Sequence, residues 1–299
     1  MPSKYINDEF FRRLETCALN LRSDLNGFFG GKHLVKTYGQ TVEFADYREY
    51  MLGDDIRRID WNLYSRFEKY FLKLFTDERQ MHTQIYLDCS ASMGRTNPQK
   101  ADYAAAFAAA LGFLSVHNMD KLSYNLIRGG TANDPYGLIV GKTSFFRAVG
   151  DFESIAFDGE ADLGQAILHG AETLQGNGLS VIISDFFTDS DWRKAVDYLC
   201  FKNRQVLLIQ VLAPEERDPL YSGRVSLIDA EADDSLDSRN MKLQITRGLQ
   251  QAYAEALHDF LDDISSFCAS RGAGFVSVCS DQPIEKALFG ELLKTGILQ

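Results

Sequence analysis

Three oxygen-bearing side chains stand at alternate positions just after a short apolar stretch. Asp88, Ser90 and Ser92 follow the strand-like residues 84–87 in the run QIYLDCSASMG. A carboxylate and two hydroxyls on one tight turn supply the hard oxygen ligands that Mg²⁺ and Ca²⁺ prefer. The spacing therefore predicts a metal-binding loop. The competing interpretation is that Asp88 only caps its own loop, which is a common use of Asp.

A second apolar stretch, residues 179–183, ends in Ser184 and Asp185. In a parallel sheet, Asp88 and Asp185 would project at the edge where the strands end. If their strands are neighbours, two carboxylates and their hydroxyl neighbours could share one cation. The alternative is that Asp185 caps the turn that follows it.

Alternating apolar strands and helical segments must position these residues. The predicted strands are 83–87, 121–127, 179–184, 205–212 and 274–279, with helices in most of the gaps. Such alternation favours a mainly parallel sheet with helices on both faces. Asn97 and Pro98 form a helix start directly after the Asp88 loop, which places that loop between a strand and a helix.

Three further segments have recognisable patterns. A helix is predicted from Asp8 to about residue 26, followed by a loop over 27–40. The strongest helical periodicity lies between Thr246 and Arg271. Two extended stretches around the acidic turn 231–234 predict a β-hairpin appended to the sheet.

Composition narrows the functional classes. The chain has 299 residues, 45% of them hydrophobic, and a formal net charge of −11. That charge argues against a broad nucleic-acid-binding surface, since such surfaces need clustered Lys and Arg. Five cysteines without C-x-x-C spacing indicate reduced thiols and a cytoplasmic location. The sequence shows neither a secretory signal nor an apolar run long enough to insert into a membrane.

The segment 43–66, EFADYREYMLGDDIRRIDWNLYSR, followed by LDCSASM, resembles the family known as domain of unknown function 58, which is often associated with MoxR-type AAA ATPases. The loop with Asp88 and the strand end at Asp185 also resemble the metal-ion-dependent adhesion site, or MIDAS, of von Willebrand factor A domains. The resemblance implies an α/β fold: a Rossmann-like, von Willebrand factor A-type, mainly parallel sheet flanked by helices. An N-terminal segment, residues 1–80, would pack on a core domain of residues 81–299.

The same resemblance implies a ligand set for a metal ion. Asp88, Ser90 and Ser92 match the first ligand loop, and Asp185 matches the acidic residue of the third. The second loop departs from the pattern, because Ala161 stands where a threonine hydroxyl is expected. Asp162 is a further candidate ligand, although it could instead cap the helix that follows it. The expected ion is Mg²⁺, with Mn²⁺ or Ca²⁺ as alternatives.

A second candidate surface lies in the N-terminal segment. Arg57, Arg58, Asp60 and Trp61 combine the residue types that often anchor protein interfaces and are predicted to bind a partner. The alternative is an internal cluster of ion pairs and aromatic rings that holds this segment together.

Enzyme motifs are weak. Gly141-Lys142-Thr143 lacks the spacing of a phosphate loop and predicts a turn into a helix. Cys89 has no histidine singled out as its base and is interpreted as a packing residue. We therefore expect a non-catalytic adaptor that binds a protein, with a MoxR-type AAA ATPase as the implied partner. The alternatives are a metal-dependent phosphohydrolase that uses Asp88 as nucleophile and a purely structural assembly subunit.

Overall fold

The computed structural model describes residues 6–20, 43–51, 54–76, 81–95, 97–172, 178–219, 223–227 and 241–291. The chain forms two compact units, one comprising Met1–Phe29 with Met81–Gln299 and the other Gly30–Gln80. The sequence placed residues 1–80 in one segment, but the first helix belongs to the larger unit. The reason is burial, since Phe10, Phe11 and Leu14 lie in the core of that unit.

The larger unit is built on a mainly parallel, Rossmann-like sheet of six strands. Its strands are β3 (His82–Asp88), β4 (Lys121–Arg128), β5 (Thr131–Asn133), β6 (Gly178–Ser184), β7 (Arg204–Leu212) and β10 (Gly274–Cys279). Their spatial order is β10-β7-β6-β3-β4-β5. Only β5 runs antiparallel to its neighbour. The five strands predicted from the apolar runs are confirmed, whereas the three-residue β5 is too short to give a pattern.

The strands that carry the candidate ligands are neighbours. β3 and β6 pair in parallel with His82 opposite Gly178 and Leu87 opposite Ile183. This register brings the ends of both strands to the same side of the sheet. We call that side the carboxyl edge, and the side where the parallel strands begin the amino edge.

Helices cover both faces of the sheet. They are α1 (Asp8–Asn20), α3 (Ala91–Gly94), α4 (Pro98–His117), α5 (Lys142–Gly150), α6 (Leu163–Glu172), α7 (Trp192–Phe201), α8 (Pro214–Arg217), α9 (Arg247–Ser270) and α10 (Ile284–Lys286), numbered with α2 of the smaller unit described below. Short 3₁₀ or π turns lie at Ile56–Arg58, Phe152–Ser154 and Ala287–Glu291. One core cluster includes α1, α4 and α5, and the other includes α6, α7 and α9.

The central helix α4 is buried almost all round. In the stretch from Lys100 to Val116, only Asp102 is exposed, and the buried residues include many alanines and aromatic residues. The predicted start is confirmed, because the Asn97 side chain accepts a hydrogen bond from the Lys100 amide and Pro98 occupies the first turn. A methyl group on Gly112 would stand 1.9 Å from the Tyr124 hydroxyl oxygen, so the helix crosses β4 too closely there for any larger residue.

The smaller unit consists of an antiparallel pair and one short helix. β1 (Glu43–Glu49) pairs with β2 (Phe71–Thr76), and α2 (Trp61–Phe67) lies between them in the chain. The Asp60 side chain caps α2 by accepting hydrogen bonds from the amides of Asn62 and Leu63.

Several predictions at the edges of the fold need correction or fall outside the described residues. β8 (Gly223–Leu227) and β9 (Met241–Ile245) pair antiparallel as predicted, but form a separate ladder that is not hydrogen-bonded to the described strands of the main sheet. Residue alternation predicts that two strands pair with each other but does not determine which sheet they join. The acidic turn 231–234, the loop 27–40 and the predicted end of α1 lie outside the described residues. Among the helices described, none has the length and apolar character needed to cross a bilayer.

Candidate functional site

Asp88 and Ser184 end neighbouring strands and are hydrogen-bonded to each other. The Ser184 hydroxyl donates to Asp88 Oδ2 at 2.6 Å, and the Ser90 amide donates to Asp88 Oδ1 at 2.9 Å. The Asp88 residue is only 3% exposed. Each carboxylate oxygen therefore already has a donor, and the carboxylate closes the turn that follows β3.

Burial makes Asp88 a weak acid. Its removal from water raises its pKa to about 6, and the nearby Asp185 carboxylate adds to the rise. The hydrogen bonds from Ser184 and Ser90 act in the opposite direction, because they favour the charged form. Asp88 thus lies in a dry, negatively charged environment at the carboxyl edge.

The two hydroxyls of the first loop bind each other. Ser90 Oγ lies 3.0 Å from Ser92 Oγ. The loop backbone is held from the opposite side, since the Ala91 amide donates to the Gly159 carbonyl and the Asp158 amide donates to the Cys89 carbonyl. The first and second predicted ligand loops therefore lie side by side.

The second predicted ligand loop is fixed by backbone contacts to the end of β4. The Gly129 amide donates to the Glu160 carbonyl, and the Asp162 amide donates to the Gly129 carbonyl. The Asp162 side chain accepts a hydrogen bond from the Gln165 amide at 3.0 Å, so it caps α6 as the competing interpretation predicted. Ala161 supplies no oxygen ligand through its side chain.

Both carboxylate oxygens of the third predicted ligand, Asp185, also accept hydrogen bonds. Its Oδ1 accepts a hydrogen bond from the Phe187 amide at 3.0 Å, and its Oδ2 accepts one from the Lys100 ammonium at 2.8 Å. The turn after Asp185 contains Phe186 at φ 58°, a left-handed conformation that is uncommon for an aromatic residue. This left-handed residue therefore comes directly after the residue that carries the carboxylate.

Lys100 is the functional residue that the sequence analysis missed. Its side chain is 0% exposed, and its ammonium contacts Asp185 Oδ2 at 2.8 Å, Glu216 Oε1 at 2.8 Å and the Ser92 carbonyl at 3.3 Å. Burial alone would lower the pKa of Lys100, but the charges of Asp185 and Glu216 raise it above its usual value. The lysine is therefore a charged ammonium at the centre of the carboxyl edge.

These residues do not fit the metal ion that the resemblance implies. Asp185 binds an ammonium, the two serine hydroxyls bind each other and Ala161 offers no hydroxyl. Across the residues that the structure describes, no three His, Cys, Asp or Glu side chains are grouped as a metal site. The predicted ligands of the first and third loops do come together, but as parts of a network that already contains a cation.

A groove of about 1010 Å³ opens beside this network. Phe186, Phe187 and Phe260 line it, and the rings of Phe187 and Phe260 stack with centroids 5.5 Å apart. Its other lining residues include the three carboxylates of Glu160, Asp162 and Asp189, together with Ser92. The groove joins an aromatic surface to a negatively charged one.

The predicted partner-binding residues of the smaller unit have unequal exposure. Trp61 is 60% exposed and Arg57 is exposed, whereas Asp60 is buried and caps α2. Arg58 lies in the 3₁₀ turn Ile56–Arg58, and its side chain is not among those that the structure describes. Arg48 forms an ion pair with Asp54 at 2.8 Å, as expected of an internal cluster, and partner binding by the exposed Trp61 stays a prediction.

The weak enzyme motifs have structural uses. Gly141, at φ 79°, is the residue before α5, so the predicted turn into a helix is confirmed. Cys89 is buried, and burial raises the pKa of its thiol to about 12, which keeps it protonated and unreactive.

The sequence contained one signal that could have drawn attention to Lys100, namely a lysine at the third position of a helix. A cation in the first turn is opposed by the helix dipole and usually needs a local reason. Here that reason is two carboxylates from distant parts of the chain, Asp185 and Glu216. Local spacing could not have identified them, because they are 85 and 116 residues away.

Comparison with known proteins identifies relatives of unknown function. A family model with the description "Protein of unknown function DUF58" matches residues 46–259. The protein Mb1516 of Mycobacterium bovis is 28% identical over 274 residues, which cover 90% of this chain and 84% of that protein. The protein Rv1480 of Mycobacterium tuberculosis matches to the same extent, and both are described as uncharacterized.

Two solved structures show distant likeness to this chain. The conserved hypothetical protein BatB from Bacteroides thetaiotaomicron is 17% identical with a TM-score of 0.45, and the match covers 72% of this chain and 98% of BatB. The mussel byssus proximal thread matrix protein 1 is 13% identical with a TM-score of 0.36, over 44% of this chain and 37% of that one.

Proposed function

We propose that this chain, which belongs to the DUF58 family of proteins of unknown function, is a non-catalytic adaptor of von Willebrand factor A type. In this proposal it binds a protein partner at the carboxyl edge of its sheet. The observation that carries the proposal is the groove beside Lys100, with its aromatic and acidic lining. Concave sites at the carboxyl ends of parallel strands are the usual binding sites of such sheets.

The groove chemistry supports a basic partner segment. Glu160 and Asp189 are exposed and Asp162 is partly exposed, and none of the described residues that line the groove is Lys or Arg. A partner that offered a carboxylate would meet like charge, and such contacts are costly. An Arg or Lys beside an apolar side chain would instead pair with Asp189 and pack on Phe187 and Phe260.

A MoxR-type AAA ATPase is the proposed partner, on the basis of the family resemblance of residues 43–66. The exposed Trp61 would provide a second contact with the same ATPase, since Trp is a frequent anchor of interfaces. We place this interaction in the cytoplasm, which the cysteine pattern favours. The described cysteines Cys89, Cys200, Cys268 and Cys279 are free thiols.

The proposal assigns no chemical turnover to Asp88. Both of its carboxylate oxygens accept hydrogen bonds, and the residue is buried, so it is not presented to a substrate in the groove. A panel of phosphate esters assayed with Mg²⁺ or Mn²⁺ tests this point. Turnover that Asp88→Asn abolishes would support the phosphohydrolase alternative instead.

The test is a titration of the purified chain with a purified MoxR-type ATPase from the same organism, followed by calorimetry. Asp189→Lys reverses one exposed charge of the groove and should weaken binding at least about tenfold, because each 1.4 kcal/mol of lost attraction is a factor of ten. Added salt should weaken the wild-type complex more than the variant complex.

The matched control is Asp151→Lys, which makes the same charge change at an exposed residue that does not line the groove. It should leave the affinity within about twofold of the wild type, since distant surface charges are screened. Equal affinity of Asp189→Lys, Asp151→Lys and wild type would contradict the groove as the binding surface. No measurable binding by the wild type would contradict the choice of partner.

A further inference from the structure

We propose that Lys100 is the resident cation of the carboxyl edge, so that its ammonium takes the place of a divalent metal ion. The proposal goes beyond partner binding and does not depend on it. It concerns how the segments that follow β3, β6 and β7 are held together, and it predicts that the candidate ligands do not bind Mg²⁺ in the wild-type protein.

The three donors of the Lys100 ammonium match three acceptors. They are a carboxylate oxygen of Asp185, a carboxylate oxygen of Glu216 and the Ser92 carbonyl, at 2.8, 2.8 and 3.3 Å. An ammonium group has three N–H bonds and no acceptor, so this arrangement uses all of them. All three donors of this fully buried ammonium have acceptors, as expected, because an unpaired buried charge would be strongly unfavourable.

The ammonium also connects the segments that a metal ion would connect. Ser92 belongs to the first predicted ligand loop and Asp185 to the third, whereas Glu216 lies in α8 directly after β7. Lys100 itself is the third residue of α4, the helix that follows the first loop. One positive charge on a covalent stem therefore ties two ligand loops to a third element.

The remaining candidate ligands are satisfied without a metal ion. Asp88 accepts hydrogen bonds from Ser184 and Ser90, and Ser90 Oγ lies within hydrogen-bonding distance of Ser92 Oγ. The second loop has Ala161 in place of a hydroxyl ligand. A dication that bound Asp185 would stand close to the Lys100 ammonium in a buried environment, where repulsion between like charges is strong.

Removing the lysine charge should therefore open a metal site. In Lys100→Met, a side chain of similar length without a charge leaves the carboxylates of Asp185 and Glu216 without their cation. We expect this variant to bind Mn²⁺ at least about tenfold more tightly than the wild type. Mn²⁺ should also raise the melting temperature of the variant, while the wild type stays unchanged. Titration followed by electron paramagnetic resonance of free Mn²⁺ measures the binding directly.

Two control variants separate this site from general effects. Lys194→Met removes a charge from an exposed lysine and should bind no more Mn²⁺ than the wild type. The double variant Lys100→Met/Asp185→Asn loses a ligand as well as the lysine, so the gain in Mn²⁺ binding should disappear. A folded Lys100→Met protein that gains no Mn²⁺ binding would overturn the proposal.

Wild-type protein provides a test that does not depend on the folding of Lys100→Met. The wild type should show no Mn²⁺ binding that Asp88→Ala removes. Binding of one Mn²⁺ to the wild type that is lost in Asp88→Ala would overturn the proposal, because the cation position would then be free for a metal ion. Equal Mn²⁺ binding by these two proteins would support it.

Discussion

The two edges of the main sheet both contain buried polar networks, but they balance charge differently. At the carboxyl edge, the carboxylates of Asp88 and Asp185 are buried, and Asp185 forms an ion pair with Lys100 of α4. At the amino edge, Arg204 begins β7 and is 4% exposed. The first network joins loops and helices to the sheet, whereas the second lies between the strands themselves.

Arg204 is paired with neutral groups. Its guanidinium donates to the carbonyls of His82 and Leu179 at 2.7 and 2.8 Å, and to the Ser180 hydroxyl at 3.1 Å. Burial lowers its pKa to about 10. His82 in turn lies 2.9 Å from the Ser123 hydroxyl and stays neutral beside the arginine. The amino edge thus contains a buried cation that holds β3, β6 and β7 together.

The difference between the two edges supports the proposal that the carboxyl edge is the binding surface. The amino-edge network joins adjacent strands through uncharged acceptors, which suits a structural role. The carboxyl-edge network concentrates carboxylates around one lysine and borders an open groove with three more carboxylates. Excess negative charge at a concave surface favours association with a basic partner, and sheet stability alone does not require it.

The largest effect on stability is expected from Lys100→Met in the absence of metal. Removing one partner of a buried ion pair leaves an uncompensated charge and should cost about 3–5 kcal/mol. Urea unfolding followed by circular dichroism measures the change. Lys100→Met/Asp185→Asn should recover part of the loss, because the unpaired carboxylate is gone. A cost within error of Lys194→Met would show that the network does not stabilise the fold.

Arg204→Met should have a smaller effect, about 1–3 kcal/mol, because the acceptors it leaves behind are neutral. The two networks lie at opposite ends of strands about 20 Å long at the usual rise per residue. The costs of Arg204→Met and Lys100→Met should therefore add within about 0.5 kcal/mol. Urea unfolding of both single variants and the double variant gives the coupling. A larger coupling would show that the edges form one network.

The amino edge also predicts a pH dependence. Burial, together with the positive charges of Arg204 and Lys121, lowers the pKa of His82 to about 4 from an ordinary value of 6.5. The folded state therefore opposes protonation, so this contribution to stability is present above pH 6.5 and is lost as the pH falls towards 4. The partial exposure of His82 reduces the loss to about 1–2 kcal/mol.

His82→Gln isolates this contribution, because glutamine does not titrate. Thermal unfolding of the wild type and the variant should show a difference in pH dependence between pH 6.5 and 4. Asp88 and Asp120, whose pKa values are both raised to about 6, titrate in both proteins and so largely cancel in the difference. Parallel stability curves would contradict the low pKa of His82.

The smallest effect is expected at the second loop of the carboxyl edge. Asp162→Ala removes the side-chain cap of α6 and should cost about 1 kcal/mol, whereas Asp162→Ser keeps an oxygen at the cap and should cost less. Chemical unfolding measures both. If Asp162 also held a metal ion, its replacement by alanine would lower Mn²⁺ binding by the wild type, and we expect no such change.

The sequence was sufficient to predict the sheet because apolar runs such as 179–183 end at polar residues and are separated by helical patterns. It also placed Asp88 and Asp185 at the same edge of that sheet, but the pairing of β3 with β6 that makes them neighbours came from the structure. Lys100 could not be found this way, because its partners come from distant segments. The separate pairing of β8 and β9 was missed for a similar reason: alternation predicts a hairpin but not which sheet it joins.

The central claim is that a lysine, and not a metal ion, neutralises the carboxyl edge. Anomalous diffraction from wild-type crystals grown with Mn²⁺ tests it most directly. We predict no Mn²⁺ peak among Asp88, Ser90, Ser92 and Asp185, with the Lys100 ammonium within hydrogen-bonding distance of Asp185. A Mn²⁺ ion bound to these residues, with the Lys100 side chain displaced from Asp185, would contradict the claim.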